Sequence, residues 1–317
     1  MPASTADPAR NYDYIIVGAG SAGCLLANRL SADPATRVLL LEAGGKDDYF
    51  WIHIPVGYLY TINNPRTDWC YKTEPDPGLN GRSLHYARGR VLGGCSSINA
   101  MIYMRGQPRD YDEWASLGST GWGWQQVLPF FKASERYVHG ADEMHGDQGE
   151  ISVEERRVDW EILDAWRTAA EESGIPKVAD FKRGDNFGCA YFQVNQQRGR
   201  RQNTHQAFIE PVRQRANLDV LTHAEVQRIR LIRNDGMLRA NGLDVRIAGS
   251  GAQFFEARRE VILSAGAVGS PQLLQLSGIG PGELLQQHAV AVQHELPGVG
   301  ANLQDHLQIR TVYKVAN

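Results

Sequence analysis

The stretch Tyr12–Gly44, YDYIIVGAGSAGCLLANRLSADPATRVLLLEAG, constrains the fold more than any other part of the chain. Tyr14, Ile15, Ile16 and Val17 form a short apolar run suited to a buried parallel strand. Gly18-Ala19-Gly20-Ser21-Ala22-Gly23 follows at once, and Ala22 to Leu30 reads as a helix. Gly18 permits a tight turn, Gly20 lets the backbone approach a pyrophosphate, and Gly23 lets the helix pack close on the strand. The helix N-terminus offers N–H groups and a partial positive charge to phosphates. A second strand, Arg37 to Leu41, ends in Glu42, roughly 20 residues beyond the glycines, where a carboxylate accepts from ribose hydroxyls. The spacing predicts a dinucleotide site. Nicotinamide and flavin are both open at this point.

The chain has 317 residues, enough to bury a substantial core and to form two lobes. A net charge of −3 gives no basic footprint, so neither nucleic acid nor an anionic membrane is expected as principal partner. No apolar run approaches the roughly 18 residues that span a bilayer, so no transmembrane segment is expected. The polar opening MPASTADPARN lacks the apolar region of a secretory signal. Cys24, Cys70, Cys95 and Cys189 are scattered without CxxC spacing, and the nine histidines show no HxH or HExxH pairing. Neither a disulfide nor a metal site is expected, and a cytoplasmic protein is the default.

After the first strand–helix–strand unit comes a loop-rich segment, Lys46 to Arg88, punctuated by Pro55, Pro65, Pro75 and Pro77. A long irregular stretch of this kind is usually functional or a lid. Gly121 to Tyr137 has helical spacing through Val127, Leu128, Phe131 and Tyr137, with Trp122 and Trp124 expected to serve core and cap packing. Asp159 to Gly174 reads as an amphipathic helix whose acidic run faces solvent. From Asn217 the pattern turns to strands. Alternation around Asn234-Asp235-Gly236 predicts a hairpin, with further strands at Phe254–Phe255 and Glu260–Leu263. A βαβ start, a helical middle, an antiparallel meander and a return strand suit a flavin-binding α/β fold better than repeated βα units.

Two later stretches support that reading. In Tyr86–Gly106, YARGRVLGGCSSINAMIYMRG, Gly89, Gly93 and Gly94 let backbone lie flat against something large. Cys95, Ser96, Ser97 and Asn99 place small polar groups beside it, a bed for a planar polar ring and its phosphate tail. In Glu260–Gly280, EVILSAGAVGSPQLLQLSGIG, a strand and a Gly turn lead into a helix with Ser270 as N-cap, Pro271 at the first helical position and Gly278 past its end. The SAGA turn is expected to form a second wall of the cofactor site.

With LPGVGANLQDHL (Leu296–Leu307), these motifs resemble the N-terminal part of a glucose–methanol–choline oxidoreductase, closest in flavour to choline and alcohol dehydrogenase members. The resemblance runs from about Tyr12 to Leu307 and implies a Rossmann-type FAD-binding core with an antiparallel β-meander and part of a substrate-binding lobe. It implies FAD held by Gly18, Gly20, Ser21 and Gly23, with Glu42 and Ala43 at the adenosine ribose and Val226 backbone at the adenine. Trp69, Arg88, Val91, Ala265 and Gly266 are further implied contacts. Gly93, Gly94, Ser96, Asn99, Ala100 and Met101 belong to the loop against the isoalloxazine, and Asn302 and Asp305 to the flavin end. The implied division is residues 1–155 as the first part of the FAD domain, containing the flavin loop 86–106, 156–215 as partial cap, and 216–317 as its second part.

Two departures matter. Some choline-oxidising relatives tether FAD through a His where this sequence has Ile98, so non-covalent FAD is expected. The family's catalytic His lies beyond the NLQDH motif, in a C-terminal segment with no matching position within these 317 residues, which stop inside what reads as a new strand, IRTVYKVAN. His306, beside Asp305, is the best local candidate for a base, although a structural His in a Gly-rich turn is the commoner case. The implied activity is oxidation of a small alcohol, with a primary alcohol first, by hydride transfer to flavin. Substrate and electron acceptor are open. The alternatives are a nicotinamide dehydrogenase, a hydroxynitrile-lyase-like enzyme with a structural flavin, and a flavin-binding fragment without activity.

Overall fold

In a computed structural model the described residues are 11–184, 186–306 and 308–314. The opening segment in which no secretory signal is expected, all but its Asn11, lies outside them, as do Leu307 of the NLQDHL motif and the last three residues.

The apolar run at the start forms β1 (Asn11–Val17), followed by α1 (Ser21–Leu30) and β2 (Val38–Leu41). Far along the chain come β3 (Leu218–Leu221), β4 (Ala224–Asn234), β5 (Met237–Ile247) and β6 (Gly251–Leu263). Together they make a six-stranded sheet in the order β4-β5-β6-β1-β2-β3. The β6-β1-β2-β3 half is parallel and the β4-β5-β6 half antiparallel.

The period of two along the strands decides both cores. Ile15, Val17, Leu39 and Leu41 face one side, packed with Leu243, Val245 and Phe255 of the meander and with Leu273. Ile16, Val38 and Leu40 face the other, covered by Cys24 and Ala27 of α1 and by Ala207, Phe208 and Ile209. That second cover is a π-helical turn, His205–Ile209, which the sequence pattern did not reveal. Asn28 reaches from α1 to donate to the Phe208 carbonyl at 2.6 Å, so the turn is bonded as well as packed.

The hairpin forms where Asp235-Gly236 predicts it. Both central residues have positive φ, 50° and 80°, and Asn234 pairs with Met237, the two-residue turn whose twist matches its strands. The two short strands expected at Phe254–Phe255 and Glu260–Leu263 are instead one strand of 13 residues. It ladders with β5 up to Glu256 and with β1 from Glu256 onward, so the intervening polar residues stay extended by backbone pairing.

The helices are shifted from their expected positions. The one expected over Gly121–Tyr137 is α3 (Trp124–Ser134), preceded by α2 (Pro108–Ser116). Tyr137 lies beyond it, because the backbone becomes extended at Glu135, whose carboxylate is buried against Arg105 and His145. Trp124 is buried as expected. Trp122 is not: it is 56% exposed, its ring tilted 58° against that of Trp114. The helix α4 (Glu161–Glu172) buries Ala170 alone and leaves Ile162, Leu163 and Trp166 exposed. The helix α5 (Gly266–Leu276) begins before Ser270, so Ser270 and Pro271 lie inside it. The Ser270 hydroxyl still caps, accepting from the Ala265 N–H at 3.0 Å. Gly278, at φ 86°, ends the helix as expected. Ile309–Lys314 forms no strand, having no partner strand among the described residues.

Candidate functional site

The carboxyl ends of β1, β2 and β6 and the start of β4 open onto one cleft, of about 750 Å³. This is where ligands bind in parallel sheets, and the volume suits a large organic ligand.

Three glycines of the first turn do separate jobs. Gly18 has φ 96°, and a β-carbon there would lie 2.6 Å from the Ser264 carbonyl oxygen. One at Gly23 would lie 2.0 Å from the Gly18 oxygen, so only glycine lets α1 pack this close. Gly20 is different. Its backbone is extended, and an added β-carbon would meet nothing nearer than the Gly94 Cα at 4.0 Å. The protein's own packing does not demand glycine at Gly20; room for a ligand does. No side chain caps α1 and no acidic residue sits in its first turn, leaving its N-terminal N–H groups and positive end free for a phosphate.

The second wall is the loop after Arg88. Gly94 has φ 54°, and its β-carbon would sit 2.7 Å from the Gly20 Cα. Gly89 backs onto Gly94 in the same way, at 2.2 Å. Ser264, Ala265 and Gly266 form the third wall, with the Ser264 hydroxyl donating to the Val17 and Gly18 carbonyls. Gly266 has φ 82° and nothing within 4 Å of where a β-carbon would stand.

Of the expected contacts, Gly18, Gly20, Ser21, Glu42, Ala43, Trp69, Arg88, Gly94, Val226, Ala265 and Gly266 line this cleft. Trp69 and Arg88 come from the Pro-punctuated loop, which thereby reaches the site. Gly23 stands behind the wall. Val91 is buried with Ile52 and Ile98 beneath the glycine loop. Gly93, Ser96, Asn99, Ala100 and Met101, on either side of the lining Gly94 and Cys95, are not among the residues that line the cleft. Asn302, Asp305 and His306 are exposed on the tail, and none of them lines the cleft; the His306 N–H bonds its neighbour Asp305.

Sequence reasoning did not single out Tyr71, Glu225 or Gln272, which also line the cleft. Tyr71 carried no signal: its ring stacks on Trp69, 5° from parallel at 5.8 Å, across a Cys70 whose left-handed φ of 57° no strand pattern foretells. Gln272 carried no signal, because it faces the cleft only through where α5 docks.

Glu42 has a second job beyond the expected ribose contact. Its Oε2 accepts from the Ala19 N–H at 3.1 Å and its Oε1 from the Gly44 N–H at 2.8 Å, tying the glycine turn to the end of β2. Burial raises its pKa from 4.5 to about 7, against the lowering pull of those two N–H groups and of Arg90. Between those values the folded protein holds a proton that the unfolded chain has released. The stability of the cofactor-free protein is therefore expected to fall as pH rises from 4.5 to about 7 and then level off, by an amount on the order of 3 kcal/mol. Denaturant unfolding of the protein and of Glu42→Gln at pH 5 and pH 8 checks this. The variant should lose less stability across that interval; an equal loss would place the titration elsewhere.

Among the described residues no group of His, Cys, Asp and Glu could hold a metal ion, and no helix is long and apolar enough to cross a membrane.

A phosphate-sized opening at a helix N-terminus, flanked by two interlocked glycine loops and closed by an acidic strand end, defines a dinucleotide-binding α/β protein. More narrowly, the chain belongs to the GMC oxidoreductase family, whose N-terminal model matches residues 12–308. It is 44% identical over 305 residues to an oxygen-dependent choline dehydrogenase of Photobacterium profundum, covering 95% of this chain and 53% of the relative. It is 41% identical over 304 residues to an alcohol dehydrogenase (acceptor) of Pseudomonas putida, covering 94% and 54%. The crystal structure of pyridoxine 4-oxidase from Mesorbium loti superposes with a TM-score of 0.85 at 37% identity, over 90% of this chain and 56% of that one. An FAD-dependent oxidoreductase from Chaetomium thermophilum gives 0.85 at 33%, over 93% and 52%. The chain thus spans about half the length of the relatives it matches.

Proposed function

We propose that this chain binds FAD and forms the cofactor-holding part of an enzyme that oxidises a small alcohol to an aldehyde or ketone. The observation that carries the reading is Gly20, a glycine that the protein's own packing does not require, set at the free N-terminus of α1. Relatives that act on choline and other alcohols supply the substrate class.

Gly20 and Ser21 hold the pyrophosphate, Glu42 and Ala43 the adenosine ribose, and Val226 the adenine. The loop from Gly93 to Met101 lies along the ring, with Trp69, Arg88, Ala265 and Gly266 closing the sides. FAD, when bound, supplies the two-electron acceptor for the alcohol's α-hydrogen. The protein's part is geometric: it fixes the cofactor face, orients the substrate and keeps water out. Residues 1–155 and 216–317 build the cofactor half, and 156–215 contributes to a substrate lobe. The exposure of Val158, Trp160, Ile162, Leu163 and Trp166 within nine residues of chain supports the latter, since a concentration of large exposed apolar side chains is a mark of an interaction site. The four free cysteines suit a cytoplasmic location.

Titrating the apoprotein with FAD tests the reading, and failure to bind would overturn it. Glu42→Ala is expected to weaken binding about ten- to a hundred-fold, the loss of charge-assisted hydrogen bonds worth roughly 1.5–3 kcal/mol. Unchanged affinity would show that another group holds the adenosine. The FAD is non-covalent: Ile98 has no bond-forming atom and is 2% exposed, packed with Ile52 and Val91. Acid precipitation is expected to release the yellow chromophore into the supernatant; colour retained in the pellet would refute this. In a polypeptide extended to its relatives' length, an alcohol should bleach the flavin anaerobically.

A further inference from the structure

Arg201 is a buried cation with no carboxylate partner among the described residues. It is 2% exposed, and burial lowers its pKa to about 10. Its guanidinium donates instead to four oxygens. Nε bonds the Ile52 carbonyl at 2.7 Å, Nη1 the Ser96 carbonyl at 3.0 Å and Asn99 Oδ1 at 2.8 Å, and Nη2 the Asn99 carbonyl at 2.6 Å. Three of these four acceptors belong to the glycine loop.

Burying a charge without a counter-ion is costly, so it persists only where the surrounding dipoles are fixed around it. The loop it grips is itself strained. Met101 holds φ 63°, and Gly93 and Gly94 are also left-handed. Asn99 Oδ1 accepts from the Met101 N–H at 3.0 Å as well as from Arg201, so one side chain joins the cation to the strained residue. The residues after Arg201 grip the same loop: Asn203 donates to Ser97 Oγ at 2.9 Å, and the Thr204 N–H to Ser96 Oγ at 3.0 Å. A trans peptide points its C=O and N–H in opposite directions. With the Asn99 carbonyl turned back to the guanidinium, the Ala100 N–H points away from it. Asn99 and Ala100 lie exposed, a few residues beyond Cys95, which lines the cleft.

We propose that Arg201 is a positioning residue for the flavin, holding the loop from Ser96 to Met101 in the shape that presents its backbone to the ring. This rests on the FAD reading above, and it assigns a role to a residue outside every glycine motif.

The test uses the protein, Arg201→Met and Arg201→Lys, each titrated with ADP and with FAD, and the visible circular dichroism of the bound flavin. ADP reports on the glycine turn and the adenosine end alone. In Arg201→Met, ADP affinity is expected to stay within about twofold. FAD affinity should fall about tenfold or more, and the flavin dichroism should change. Arg201→Lys, which keeps the charge and loses the fork, should fall between. Unchanged FAD affinity and dichroism in Arg201→Met overturns the proposal. Loss of ADP binding in both variants also overturns it, making Arg201 a general prop of the fold. Failure of the unsubstituted protein to bind either nucleotide would sink the FAD reading itself.

Discussion

Gly20→Val is expected to yield a folded protein that carries no flavin. Gly20 has φ −81°, which valine adopts readily, and its β-carbon would stand 4.0 Å from the nearest protein atom. The two γ-methyls must then occupy the opening between the α1 N-terminus and Gly94, where the pyrophosphate belongs. Overfilling a fitted site costs roughly 1–3 kcal/mol, about ten- to a hundred-fold in affinity, and loss of the phosphate's approach to the helix end adds to it. The neighbouring glycines serve as controls with a different outcome. Gly18→Val meets the Ser264 oxygen at 2.6 Å in a left-handed conformation, and Gly23→Val meets the Gly18 oxygen at 2.0 Å. Both should lose stability whether or not a cofactor is present. Flavin-to-protein absorbance ratio and thermal melting separate the two effects. A Gly20→Val protein with full flavin content would overturn the assignment of the loop.

The 317-residue polypeptide by itself, loaded with FAD, is expected not to be reduced by alcohols at an enzymatic rate. Among the described residues no histidine lines the cleft. Its two carboxylates are engaged, Glu42 by backbone N–H groups and Glu225 by Arg246 at 2.6 Å. Without a positioned base the alcohol gives up its proton unaided, and such help is typically worth about 10²–10⁴-fold. The exposed tail does not supply it from where it stands, since His306 is exposed, outside the cleft, and its N–H bonds the neighbouring Asp305. Anaerobic mixing with a panel of alcohols, followed by flavin absorbance, is the measurement. Rapid bleaching would locate a base within these residues, with His306 the first to replace.

The cofactor end was legible because its requirements are local. Gly18, Gly20 and Gly23 sit at fixed offsets from a four-residue apolar strand, and the turn's shape follows from steric limits that a sequence displays directly. The Asp235-Gly236 turn was legible for the same reason. The expectations that failed depended on distant partners. Phe254–Phe255 and Glu260–Leu263 joined into one strand because β1 and β5 pair with successive halves of it. Trp122 lies exposed beside Trp114, outside the start of α3, a placement that the helix spacing did not reveal. Glu42 was foreseen as a ligand contact, but its buried bonds to Ala19 and Gly44 appear only when the turn and the end of β2 meet in space.

Sequence alone determined that a strand, a glycine turn and a helix end would cradle a dinucleotide, because each step is set by residues a few positions apart. Only the tertiary structure decided what holds the loop from Ser96 to Met101. Arg201 lies about a hundred positions beyond Ser96 and Asn99 and contacts them because the folded backbone brings their carbonyls to its guanidinium. An arginine in a polar run carries no mark of burial. Its charge acquires a role only where the chain excludes water around it.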